Sequence, residues 1–250
     1  MIIKKRKFLF FTSARIILDD QKLVRAFHEK KYHYLSGLSY RRFDFGPAVS
    51  VKQKQTILID LVPQPEKILA SFHDTTRNEI RRTFRMPDVT FVSDDKNLRA
   101  ARTLYRRFET FQKRILPFPV SLVGHRLFSA YSHNELIAAV LCYDAPPILR
   151  ARAIFSRRHE THSPKERNET GYATRRLVYE ASRWGHEHGY QFFDMGAINT
   201  RDPAKASITA FKRGFGGKEI DEYTYTSTSM IIAFLTYLKH KRSIEKSLLL

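Results

Sequence analysis

The sequence has a single cysteine in 250 residues, Cys142. One thiol cannot close an internal disulfide or supply a thiolate zinc cage, so a disulfide-stapled secreted module is excluded and a reducing, cytoplasmic setting fits. Acidic residues are scarce: 25 Asp and Glu stand against 44 Lys and Arg, a formal net charge of +19. That excess does not select a fold, but it attracts polyanions such as nucleic acid, phosphorylated substrates or an anionic membrane face. No apolar run reaches the ~20 residues of a membrane-spanning helix. The longest uncharged stretch, Tyr223 to Leu238, is rich in Thr and Ser in its first half. At the N-terminus the basic run Lys4 to Lys7 is followed only by Phe8 to Phe11 before Thr12, Ser13 and Arg15. A signal-peptide core needs roughly 7–15 apolar residues, so export is not expected. The 10 histidines show no H-x-x-x-H pair or other ligand spacing, and no metal is expected. Internal repeats and low-complexity tracts are absent.

What the chain does have is apolar matter: 42% hydrophobic and 13% aromatic residues, with 19 Phe and 12 Tyr. That is too much for a disordered chain. Helical spacing marks 19–31 through Leu23, Val24 and Phe27. Alternation marks a strand from Thr56 to Val62, stopped by Pro63 and Pro65. One helix is predicted from Glu66 to Phe84 through Ile68, Leu69, Phe72 and Ile80, carrying Arg77, Arg81, Arg82 and Arg85 at its far end and broken at Met86-Pro87. A short strand at Val89 to Val92 precedes a helix opened by Asp94-Asp95 and running through Leu98, Leu104 and Phe108. Beyond Pro117 and Pro119, a hairpin is predicted at Arg126 to Tyr143, turning at Ser132 to Glu135, then a strand at Ile148 to Phe155. Residues 159–170 read as a polar loop, 172–188 as a helix closed by Gly189, 191–195 as a strand, 205–213 as a helix and 218–226 as a last strand. The order is mixed α/β.

Four places carry candidate chemistry. Gly171 stands where the predicted helix starts; the position is either an anion site on free N–H groups or a plain helix start. The string Phe193-Asp194-Met195-Gly196 ends a strand with a carboxylate and a glycine, and Asn199 adds an amide. Phe211-Lys212-Arg213-Gly214-Phe215-Gly216-Gly217 sets two cations between two rings, followed by glycines; the bland alternative is a capped helix and a bulge. Arg77, Arg81 and Arg82 form a basic cluster, with Arg77 and Arg81 on one helix face. It reads either as a solvated face or as a phosphate contact. Cys142 lies in a strand pattern and reads as core. Residues 230–250 mix Ile231, Phe234 and Leu235 with Lys239, Lys241 and Arg242, either a docked basic amphipathic helix or a contact with anionic lipid.

These strings resemble the FemABX-type peptidyl (aminoacyl) transferases, a group within the GNAT-like superfamily. Phe45-Gly46-Pro47 with Ile59-Asp60-Leu61 is similar to the family's "GP … DL" lead-in. Thr75-Thr76-Arg77-Asn78-Glu79-Ile80-Arg81 is similar to its "K-x-T-R-x-N-I-R" helix, and Tyr179 to Trp184 with Gly189-Tyr190 to "W-E-A-I-x-W-A … G-Y". Phe192-Phe193-Asp194-Met195-Gly196 with Phe211-Lys212-Arg213-Gly214-Phe215-Gly216 resembles "F-D-x-G-G … F-K-x-G-F-G", with Ala197 in place of the second glycine. Asn168, Gly171 and Ala173 form a degraded echo of the GNAT coenzyme A loop.

The resemblance implies a GNAT-like mixed sheet flanked by helices: an abbreviated N-terminal subdomain (1–87), a complete transferase domain (88–229) and a basic terminal helix (230–250). It implies transfer of an aminoacyl group from aminoacyl-tRNA to an amine of a lipid-linked or nucleotide-linked cell-envelope precursor. No cofactor is expected, and the site would be cytoplasmic, with contact to an anionic membrane as an option. Lys212 would stabilise the oxyanion. Asp194 would orient the amine or take its proton, or else cap the turn or pair with Lys212. Arg77, Arg81, Arg82, Asn199, Phe211, Arg213 and Gly171 would bind substrate. The alternatives are an N-acyltransferase using acyl-CoA or another thioester, and a non-catalytic RNA- or membrane-surface-binding chain.

Overall fold

The computed structural model describes residues 2–8, 11–112, 124–161 and 163–228. In chain order these form β1 (Ile2–Phe8), β2 (Phe11–Ile17), α1 (Asp20–Glu29), β3 (Tyr34–Ser39), β4 (Ser50–Asp60), α2 (Pro65–Ser71) and α3 (Asp74–Thr83). There follow β5 (Val89–Val92), α4 (Leu98–Phe111), β6 (His125–Ser132), β7 (Glu135–Ala145) and β8 (Ile148–Ser156). The rest is α5 (Pro164–Glu187), β9 (Phe192–Asp194), a 3-10 turn at Pro203–Lys205, α6 (Ala206–Arg213) and β10 (Lys218–Thr228). The expected segment 230–250 lies outside the described residues. The described residues make two compact units, one of those up to 54 and from 221 onward, the other of those between 55 and 220.

In the first unit β1 pairs antiparallel with β2, β2 parallel with β3, and β3 antiparallel with β10. Strands β2 and β3 can run parallel because α1 carries the chain back between them. Asp19 caps α1 by accepting from the Lys22 N–H at 3.0 Å. The helix buries Leu23, Ala26 and Phe27 against Ile16, Leu35 and Tyr225. None of β1, β2 and β3 is anticipated from the sequence. Lys4 to Lys7 reads as a charge run, yet its backbone pairs with β2 from Lys4↔Arg15 to Lys7↔Thr12.

In the second unit the strands stand in the order β4-β9-β8-β7-β6-β5. All neighbours are antiparallel except β8 and β9. Strand β7 is buried almost throughout because both its faces are covered. Val140 and Cys142 share a core with Leu177, Val178 and Ala181 of α5, while Ala139 and Leu141 pack with Ala101 and Leu104 of α4. The β6–β7 turn carries His133 and Asn134 at φ 48° and 65°, the pair of positive angles a two-residue hairpin requires.

The structure corrects three sequence expectations. The single helix over 66–84 is two helices, because Phe72 and His73 are extended (ψ 153° and 149°). The break turns Phe72 into the core, 5.2 Å from Phe215 and 6.4 Å from Tyr179 between ring centroids. The polar stretch 159–170 is largely the first part of α5, which starts on Pro164 and is exposed through Asn168. Its polarity reflects that exposure rather than a loop. Helix α4 starts at Leu98 rather than Asp94, with the Asn97 side chain accepting from the Ala100 N–H at 3.2 Å. Ile68, Phe72 and Ile80 share one core with Leu177, Tyr179 and Phe215.

Candidate functional site

The parallel pair β8–β9 is joined by the long crossover helix α5 and is only three residues deep, ending at Arg150↔Asp194. Past Asp194 the chain stays with β4: Met195 N–H donates to Ile57 at 3.0 Å and Ile198 N–H to Gln55 at 2.7 Å. β8 continues to Ser156 without β9 beside it. Gly196 makes this departure at φ 71°, and a Cβ there would stand 3.0 Å from the Ala151 carbonyl oxygen. A glycine is needed on both counts.

Asp194 organises the turn through its side chain. Its side chain is 0% exposed and forms an ion pair with Arg150, itself 8% exposed. It also accepts from the Thr56 hydroxyl and, at 2.7 Å, from the Gly196 N–H. Asp194 is expected from the sequence to meet the amine or take its proton; the structure places it sealed from solvent and ion-paired. It caps the turn through the Gly196 N–H and is ion-paired with Arg150. Arg150 and Thr56 are missed by the sequence reading. The available signal was the pair of arginines, Arg150 and Arg152, in the otherwise apolar Ile148 to Phe155 strand.

Lys212 reaches the same turn. It sits in the last turn of α6, where the helix dipole favours a cation. Its ammonium donates to the carbonyls of Gly196 at 2.9 Å and Ala197 at 2.7 Å. The ends of α6 are fixed by packing. Phe211 and Phe215 meet edge to face at 5.2 Å, and Arg175 lies 5.2 Å from the Phe211 ring while pairing with Glu79 at 2.5 Å. Burial holds the Arg175 guanidinium below its ordinary pKa. Gly217 (φ 84°) passes so close to β4 that a Cβ would meet the Leu58 carbonyl oxygen at 2.5 Å. The glycines of this string are therefore packing devices.

The remaining expected residues divide. Asn199 lies beside α6, exchanging hydrogen bonds with Thr209, and its side chain accepts from the N–H groups of Arg201 and Asp202. Arg213 faces solvent and forms a two-bond pair with Glu219, at 2.6 and 3.2 Å, which raises its pKa. Gly171 is well inside α5, so its N–H belongs to a helix ladder rather than to a free end. Arg77 is committed locally, donating to the carbonyls of Ala70 and Phe72 at 2.7 Å each and pairing with Asp74, which ties the α2–α3 break together. Arg82 donates to the Tyr172 hydroxyl at 2.8 Å, and Arg81 is exposed. Cys142 is fully buried; burial, and then the charge of Asp194, push its thiol well above the ordinary value, which unfits it as a nucleophile. Among the described residues no group of three or more His, Cys, Asp or Glu is placed to hold a metal ion.

This arrangement is a GNAT-like fold: a large mixed sheet flanked by helices, with two parallel strand pairs, β2–β3 and β8–β9, each joined through a helix. Solved structures share it. FemX superimposes with a TM-score of 0.61 at 11% identity, over 89% of this chain and 83% of that one. The C-terminal domain of a putative lysylphosphatidylglycerol synthetase from Agrobacterium fabrum gives 0.55 at 14% identity, over 94% and 83%. L-PGS from Bacillus licheniformis gives 0.53 at 15% identity, over 93% and 83%. No family model and no curated protein matches the sequence. Among the described residues no helix is long and apolar enough to cross a membrane.

Proposed function

We propose that this chain is an acyl-group transferase that moves an aminoacyl group from aminoacyl-tRNA to an amine of a cell-envelope precursor. The observation that carries the reading is Lys212 anchored on the Gly196 and Ala197 carbonyls, where β9 parts from β8. In the step, the amine nitrogen bonds to the ester carbon, the carbon–oxygen bond to the ribose breaks, and the ribose oxygen leaves as a hydroxyl carrying the amine's proton. Negative charge collects on the former carbonyl oxygen in between, and a fixed ammonium at the strand end stabilises it. Asp194 acts indirectly, holding through Gly196 the turn on which Lys212 rests.

Two further observations favour the tRNA donor over a thioester. The net charge of +19 suits a polyanion. Gly171 in the interior of α5 offers no free N–H groups to the pyrophosphate of coenzyme A. The test supplies labelled aminoacyl-tRNA pools in one reaction and labelled acyl-CoA in another. Each is run with extracted lipid-linked precursor or with phosphatidylglycerol, the lipid in the name of the Agrobacterium neighbour. Label moving from tRNA to the precursor amine is the expected result. Transfer only from the thioester overturns the donor, and transfer only to phosphatidylglycerol overturns the acceptor.

A further inference from the structure

A groove of about 770 Å³ opens between α2, α3 and α5, apart from the residues that hold Lys212. Its wall carries Arg81, Arg176 and Arg183 together with Phe84, Tyr179 and Leu69. Arg176 is only 9% exposed, and its guanidinium carbon lies 3.8 Å from the Phe84 ring centroid, 5.4 Å from Phe91 and 5.6 Å from Tyr179. Its Nε donates to one oxygen of Glu180, whose other oxygen takes Arg183 at 2.9 Å. Each guanidinium has five N–H donors, so Glu180 orients both arginines by one edge and leaves most of the Arg176 donors without a protein acceptor among the described residues.

Glu180 is shared by the two guanidinium groups, and Glu187 stands 3.6 Å from Arg183, so two carboxylates answer this pair. Glu66 is the carboxylate in the groove wall. Asp74 answers Arg77, while Arg81 makes no ion pair among the described residues. A planar, prefixed guanidinium suits phosphate oxygens, and the three in this groove besides Arg77 suit more than one phosphate. Phe84 adds the other half of the recognition. It packs on Arg176 yet remains 60% exposed, a ring surface open to stacking. The volume falls in the range of roughly 300–1,000 Å³ usual for small-molecule sites.

We infer that this groove binds a phosphate ester bearing a planar ring, of the nucleoside diphosphate type. The phosphates meet Arg81, Arg176 and Arg183, and the ring lies on Phe84. Binding here involves no transfer step, so the inference stands or falls apart from the proposed reaction.

The test titrates the full chain with ADP and with inorganic pyrophosphate, following heat and amide resonances. ADP is expected to saturate one site, to shift the signals of Phe84, Arg176 and Tyr179, and to bind more tightly than pyrophosphate. Arg81→Gln and Phe84→Ala change exposed residues, and circular dichroism will report both folded. Each should weaken ADP binding on the order of tenfold, while pyrophosphate responds only to Arg81→Gln. Equal affinity for the two ligands, wild-type ADP affinity in both folded variants, or shifts centred on Gly196 and Lys212 would each overturn the inference.

Discussion

Arg150 and Asp194 face each other as the last register pair of the parallel β8–β9 ladder, and their side chains close an ion pair out of solvent. Two strands that separate one residue later are thus held at the point of separation by a charge pair. Removing one partner takes this ion pair from a buried charge, which costs about 3–5 kcal/mol. Arg150→Met and Asp194→Asn should each lower stability to denaturant by about that amount. The double variant should recover part of the loss, because neither member of the buried charge pair remains. Single variants as stable as wild type would remove Asp194 from its role in the turn.

Gly171 offers a cheaper test of a different point. A Cβ at this position meets nothing closer than Arg158 at 3.8 Å, and the residue is helical. Gly171→Ala should therefore stabilise the protein by about 0.5–1 kcal/mol, since glycine is a poor helix former. Donor affinity should not change. A loss of donor affinity with unchanged melting would return Gly171 to the binding site.

The three α3 arginines should behave differently from one another. Arg77 holds two carbonyls and Asp74 at the α2–α3 break, so Arg77→Ala should destabilise by about 1–3 kcal/mol and leave the salt dependence of tRNA binding alone. Replacing Arg81 and Arg82 together by Gln should flatten the slope of log K against log salt, by about 0.7–0.9 for each phosphate that is no longer neutralised. A slope that stays the same removes Arg81 and Arg82 from the tRNA contact.

How much of this was legible in the sequence depends on how local each cause is. The β6–β7 hairpin was, because its turn residues and apolar runs lie within about 20 residues of one another. The α2–α3 break was not. Phe72 fits the helical spacing, and only the distant rings of Tyr179 and Phe215 draw it out of line. The Phe-Lys string was visible as a unit, yet what Lys212 touches is set by Gly196, whose place depends on Arg150 and Thr56. Those two residues come from other strands, and no spacing rule connects them to Asp194.

Tyr190 links the C-terminal end of α5 to the sheet, donating from its hydroxyl to Asp144 at 2.5 Å while Asp144 also holds Arg126 at 2.9 Å. Burial first, and then the Asp144 bond and charge, push the phenol far above its ordinary value of about 10. A raised pKa means the folded state binds the proton more tightly. The contribution is therefore complete below about pH 10 and is lost as pH rises toward the folded value. Tyr190→Phe should cost roughly 1.5–3 kcal/mol at pH 8 and show a shallower alkaline decline than wild type. Parallel declines in denaturation midpoint from pH 9 to 11 would rule out this linkage.

Lys212 carries two separable roles, anchoring a turn and meeting charge on a reacting oxygen, and two substitutions tell them apart. Lys212→Met keeps the aliphatic stem but loses both carbonyl bonds and the charge. If the ammonium meets an oxyanion that exists only at the transition state, turnover should fall on the order of 100-fold while donor affinity is nearly unchanged. Lys212→Arg can still donate to both carbonyls, so it should restore the melting temperature. It should not restore turnover, because a planar fork cannot take the position of a compact ammonium. If Lys212→Arg recovered stability and activity together, the lysine would be an anchor only. If Lys212→Met kept full transfer activity, the assignment of the reaction centre to this turn would fail with it.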